Sequence, residues 1–81
     1  MLLAKAYVRH QRDRMLMVAL DVLNKYQNQQ RFGLSSEIAG HQAHEVACFA
    51  QFLRDVPQQL GFPYDVKWPE IPDCLKKHIV S

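Results

Sequence analysis

The stretch MLMVALDVL, residues 15–23, is apolar around most of the circumference that it would have as an α-helix. It lies within the first 30 residues, which contain neither Gly nor Pro and are rich in good helix formers. These residues predict one long helix over about residues 3–28. One neighbouring helix covers only a stripe of about 100°. The stretch therefore needs more than one covering element, and this requirement decides the fold.

A second long helix is predicted over about residues 35–56, after the segment QNQQRFG ends the first. Gly33 can adopt the left-handed conformation that closes a connection between helices. Ser35 is placed to cap the second helix, and Leu34 is placed to pack against Ala39. The predicted core face of this helix consists of apolar residues at helical spacing, Ile38, Val46, Phe49, Leu53 and Val56.

The segment GFPYDVKWPEIPD, which begins at Gly61, contains three prolines and predicts an extended arm over about residues 61–71. The bonds before Pro63 and Pro69 can each take either isomer. Pro72 suits the first turn of a short helix over about residues 72–79. The sequence thus predicts an all-α fold within one small domain, residues 1–81, in which a helical hairpin precedes an arm and a terminal helix.

The charge is small overall but unevenly distributed. The formal net charge is +2, with +4 in residues 1–34 and −2 in residues 35–81. The stretch KAYVRHQRDR, residues 5–14, supplies a basic patch of Lys5, Arg9, Arg12 and Arg14. Such a patch suits phosphate or an acidic protein surface. Nucleic acid is therefore an alternative partner.

The chain has no apolar run of about 18 residues and no signal-peptide pattern, so we expect a cytoplasmic protein with no membrane partner. In that compartment Cys48 and Cys74 are expected to be reduced thiols or ligands. A disulfide between them would require an exported protein.

A zinc hypothesis arises from two pairs of ligands. His44 and Cys48 are four residues apart, as are Cys74 and His78, so each pair can lie on one helical face. Four such ligands would suit tetrahedral zinc. No familiar zinc signature has this order, however, and C-x2-C knuckles are absent. We therefore predict a solvated face, with neither metal nor cofactor.

A catalytic role is not predicted. Cys48 and His44 could in principle form a thiolate and imidazole couple. Such a nucleophile needs an oxyanion site and a cleft, which a short helical hairpin does not readily provide. We expect no enzyme activity, no catalytic residue and no small-molecule substrate.

The segment LSSEIAGHQAHEVACFAQFL, residues 34–53, invites comparison with a helix-turn-helix. Its EIA, residues 37–39, resembles the middle of a first motif helix, but Gly40 comes early and the second helix has no base before Arg54. A small DNA-binding regulator, using this degenerate motif or the basic first helix, is the alternative function.

The leading hypothesis is a small non-enzymatic module for protein–protein interaction, such as an adaptor, an inhibitor or an accessory subunit. Proteins of this size that are encoded by phages and mobile elements often have such roles, an analogy of size alone. The expected partner is another protein or a second copy of the chain. The predicted partner-binding residues are apolar or aromatic and lie outside the hairpin seam, namely Met15, Val18, Val22, Phe52, Phe62, Tyr64 and Trp68.

Overall fold

The fold is all-α, as the sequence predicts. The computed structural model describes residues 2–79, and these contain three α-helices and no strand. The helices are α1, Leu2–Arg31, α2, Gly40–Asp55, and α3, Asp73–Ile79, and a 3₁₀ turn, Val56–Gln58, follows α2. None of the helices in this described part has the length and apolar content needed to cross a bilayer.

The long first helix sets the shape of the molecule. Its 30 residues span about 45 Å at 1.5 Å per residue, and the molecule measures 48 × 21 × 19 Å. The 16 residues of α2 span only about 24 Å. The second helix can therefore pair with about half of the first, and the rest of α1 must be covered by other parts of the chain.

The core lies where all three helices meet. Ala19 has no exposed surface, and its small side chain lets the other helices approach α1 closely. Leu75 of α3 is also fully buried. The buried cluster consists of Ala19, Val46, Phe49, Ala50, Leu53 and Leu75. Partly buried side chains pack against it, namely Met15, Leu16, Val18, Val22, Leu23, Ile71, Cys74 and Ile79. The apolar stretch of α1 is therefore covered by α2 and by the C-terminal part of the chain.

Gly33 ends α1 in the left-handed conformation, with φ of 67°. The Leu34 N–H donates to the carbonyl of Gln29 at 2.7 Å, and the Gly33 N–H donates to that of Gln30 at 3.3 Å. These two bonds form a Schellman motif, which satisfies carbonyl groups at the end of the helix. A side chain at position 33 would be strained in this conformation.

The second helix begins at Gly40 and not near Ser35, so the predicted cap at Ser35 is wrong. The Ala39 N–H is instead capped by the side-chain oxygen of Gln42 at 2.7 Å. Ile38, which was predicted to lie on the core face of α2, precedes the helix and is half-buried.

Side chains of α1 bond to the connection that precedes α2. Gln30 donates to the hydroxyl of Ser36 at 2.7 Å, and the Lys25 ammonium donates to the Glu37 carboxylate. These bonds hold the connection against α1 just before the first turn of α2. Leu34, predicted to pack on the start of α2, is 61% exposed.

The segment after α2 is less extended than predicted. Tyr64 and Asp65 both donate their N–H groups to the carbonyl of Gly61, at 2.9 and 2.7 Å, so the chain turns here. A Cβ at Gly61 would lie 2.2 Å from the Asp65 carbonyl oxygen, which explains the glycine. The Phe62–Pro63 bond is cis. Within the part of the chain that follows α2, irregular structure is thus confined to residues 66–72, just before α3.

A side-chain amide fastens this irregular segment. The Gln59 amide donates to the Lys67 carbonyl and accepts from the Lys67 N–H, both at 2.8 Å. The side chain therefore pairs with the backbone as a neighbouring strand would. This fixes the start of the segment that leads to α3.

We predict that Leu53→Ala lowers the free energy of unfolding by about 2–5 kcal/mol, because Leu53 is fully buried in the core and its loss leaves a cavity. Urea denaturation followed by circular dichroism measures the change. Met17→Ala is the control, since Met17 is 62% exposed and its loss should change the free energy by no more than about 0.5 kcal/mol. Equal effects of the two substitutions would contradict the assigned core.

A second prediction concerns Glu37, whose pKa the hydrogen bond from Lys25 lowers below the ordinary value of 4.5. Because the folded-state pKa is the lower one, the contribution to stability is present above the unfolded pKa and is lost as the pH falls through the folded pKa. NMR titration of the Glu37 carboxyl group should show the lowered midpoint. Lys25→Met should raise it towards 4.5, and an unchanged midpoint would contradict the pair.

Candidate protein-binding groove

A groove runs along one face of α1, and residues 63–79 form most of its second wall. It has three connected parts, which we call aromatic, middle and polar in their order along α1. The aromatic and middle parts share Gln11 and Trp68. The middle and polar parts share Val18 and His78. The three parts therefore form one continuous surface, the α1 groove.

The aromatic part has a volume of about 270 Å³. Its lining residues are Ala4, Tyr7, Val8, Gln11, Pro63, Tyr64, Val66 and Trp68. The three aromatic side chains remain accessible, with Tyr7 64%, Tyr64 74% and Trp68 38% exposed. The Tyr7 hydroxyl accepts a hydrogen bond from the Gln11 amide at 2.9 Å. Aromatic rings with a polar group are enriched in protein interfaces.

The middle part is apolar at its base and has a volume of about 440 Å³. Its lining residues are Gln11, Arg14, Met15, Val18, Trp68, Pro69, Ile71, His78 and Ile79. Four of these side chains pack against the core below and are only half-buried, namely Met15, Val18, Ile71 and Ile79. Arg14 is exposed beside them.

The polar part is the largest, about 570 Å³. Its lining residues are Val18, Asp21, Val22, Lys25, Tyr26, Gln29, Glu37, Ile38, Gln42, Asp73, Cys74, Lys77 and His78. Lys25 and Glu37 form an ion pair here. Burial raises the pKa of the Cys74 thiol, and the charges of Glu45 and Asp73 raise it further. This thiol therefore stays protonated at neutral pH.

The α1 groove contains most of the residues predicted to bind a partner, and two lie elsewhere. Phe62 lies beneath the guanidinium of Arg9, 5.8 Å from the Arg9 Cζ to the ring centroid. Phe52 is 44% exposed and lines a separate groove on α2. The predicted residues that the α1 groove brings together are Met15, Val18, Val22, Tyr64 and Trp68.

The four bases of the predicted basic patch do not share one surface. Lys5 and Arg14 are nine positions apart, which at about 100° per residue places them on opposite sides of α1. Arg9 stacks on an aromatic ring, and Arg12 pairs with Asp13 at 2.7 Å. Only Arg14 of the four lines the α1 groove.

The four residues of the zinc hypothesis line two different surfaces. His44 and Cys48 lie on the groove of α2, with 3.5 Å between Nε2 and Sγ. Cys74 and His78 line the α1 groove. Both thiols are free. Within residues 2–79, no three His, Cys, Asp or Glu side chains come together as metal ligands.

Tyr7, Gln11 and Ile79 are among the groove residues that the sequence analysis did not predict. Tyr7 and Gln11 lie among the basic residues of α1, which the sequence analysis assigned to a basic patch. Their helical spacing from Met15 and Val18 is the signal that could have found them, because it places all four on one face. Ile79 lies in the short last helix, where the sequence pattern does not indicate which face is buried.

Comparison with known proteins gives one match. The family model described as phage tail assembly chaperone protein matches residues 5–73, which include nearly all of α1, the whole of α2 and the irregular segment. No match is found among curated proteins or among solved structures. Since the matched range is most of the 81 residues, the chain belongs to the phage tail assembly chaperone family.

Proposed function

We propose that the chain acts as a chaperone in phage tail assembly by holding an apolar segment of a tail protein in the α1 groove. The observation that carries this proposal is the continuous surface with Tyr7, Tyr64 and Trp68 at one end and a half-buried aliphatic base at its middle. All three aromatic residues lie within the residues that match the family. The family indicates that the process is phage tail assembly, and the groove is the surface that we propose for binding.

The energetics of the groove suit a temporary partner. Burying a ring that is two-thirds exposed contributes roughly 1–2 kcal/mol through apolar area removed from water. Association itself costs several kcal/mol in lost translational and rotational freedom. A few such rings and aliphatic contacts therefore give binding of moderate strength. A chaperone needs such binding, because the tail protein must leave when it assembles.

The proposal assigns no covalent step to the chain and no role to nucleic acid. Arg9 and Arg12, which a phosphate footprint would need, are already engaged within the chain. A second copy of the chain could occupy the same groove only in competition with the tail protein, so sedimentation of the isolated chain forms part of the test.

We predict that the chain, co-expressed with each tail structural protein of the phage or prophage that encodes it, keeps at least one of them soluble and is co-purified with it. Tyr7→Glu should reduce the retained tail protein about tenfold or more, because it places a charge in the aromatic part of the groove. The measurement is the ratio of the two proteins after affinity purification.

Met17→Glu is the matched control for this experiment. Met17 is 62% exposed and Tyr7 64%, and both are on α1, but Met17 lies outside the groove. Neither substitution should alter helix content. Equal retention by the two variants would show that the partner binds elsewhere, and failure to retain any tail protein would overturn the proposed function.

A further inference from the structure

The residues of α1 that line the groove recur at a regular spacing. Ala4, Gln11, Val18 and Lys25 are each seven positions apart, and they run through all three parts of the groove. Lys25 lies 21 positions after Ala4, or about 32 Å along the helix. Residues seven apart lie within about 20° of one another on an α-helix, so these four mark one line along α1 that a second helix could follow.

The backbone of α1, the regular wall of the groove, also favours a helical occupant. Along α1 the N–H and C=O groups are bonded within the helix, so this wall offers no edge to which an extended segment could pair. An α-helix satisfies its own backbone groups and can lay an apolar face into such a groove. An extended segment would leave its own groups unpaired wherever the groove excludes water.

The charges beside the groove favour an acidic partner. Lys25 is paired with Glu37, and Lys76 is paired with Asp73.

Two cations that line the groove, Arg14 and Lys77, form no ion pair within residues 2–79. Of the acidic residues that line the groove in this part of the chain, only Asp21 forms no ion pair. Unpaired positive charge thus exceeds unpaired negative charge beside the groove by one, and Lys77 also acts on the Glu37 carboxylate without forming an ion pair with it. Acidic side chains flanking the apolar face of a partner helix would meet it.

We propose that the occupant of the α1 groove is an amphipathic α-helix with acidic flanks that lies along α1. This inference rests on the proposed function, whose site it shares, and it names the form and charge of the tail-protein segment.

The test uses three synthetic peptides of about 21 residues, long enough to span about 32 Å as a helix. The first has leucine at heptad spacing with glutamate on the flanks. The second has the same composition in scrambled order, and the third is rich in proline and cannot form a helix. Trp68 is the only tryptophan and lies in the groove, so its emission reports binding of peptides that lack tryptophan.

The heptad peptide should shift the Trp68 emission to the blue, gain helix content on mixing, and bind at least about tenfold more tightly than the other two peptides. Equal binding of the scrambled peptide, or tighter binding of the proline-rich peptide, would overturn the helical occupant. The absence of binding by all three would do the same.

Arg14→Glu tests the charge and should weaken binding of the heptad peptide about tenfold. Arg54→Glu is the control, since it makes the same change of charge at an exposed position of α2 outside the groove. If the two substitutions weaken binding equally, the inference that the partner helix has acidic flanks is wrong. A tail protein retained through Tyr7 while the heptad peptide fails to bind would overturn the helix and leave the proposed function standing.

Discussion

The structure depends on the difference in length between α1 and the helix that pairs with it. A helix of 30 residues beside one of 16 leaves nearly half of its length without a helical neighbour. Within the described residues, the connection before α2 lies against the end of α1, and the segment after α2 supplies further cover. That segment returns along α1, inserts Leu75 into the core, and covers the apolar stretch only in part. The groove is the space that this incomplete cover leaves.

Core residues and groove residues are immediate neighbours on α1. Ala19 is fully buried, whereas Val18 beside it is half-buried and reaches the groove. Substitutions at the base of the groove therefore also affect the packing of the core. Its two tyrosines, by contrast, can be changed with less cost to folding, since most of each side chain already contacts water.

Much of the fold follows from the sequence, because its signals are local. The long helix without Gly or Pro, the left-handed Gly33 and the short helix after Pro72 each rest on the conformational limits of nearby residues. The start of α2 could not be predicted in this way. Ser36 is held by Gln30, a contact made only once the hairpin has formed.

The sequence predicted which residue types form the site but not how the chain arranges them. The excess apolar surface of α1 indicated that Met15, Val18 and Val22 need a covering element, but not that the short last helix supplies part of it. A periodicity argument finds the face of a helix and not the path of an irregular segment. The three prolines of that segment exclude regular structure without specifying where the chain goes.

The two walls of the groove differ in the regularity of their backbone. One is a continuous helix, whose rise per residue fixes the positions of its side chains. The other is an irregular segment fastened at Lys67 by the Gln59 amide and again where Leu75 enters the core, with Trp68, Pro69 and Ile71 between the two points. If the proposed helix binds here, its repeat along α1 is constrained more strictly than its width across the groove. Helices that keep the same repeat but differ in the size of their side chains could then share this one groove.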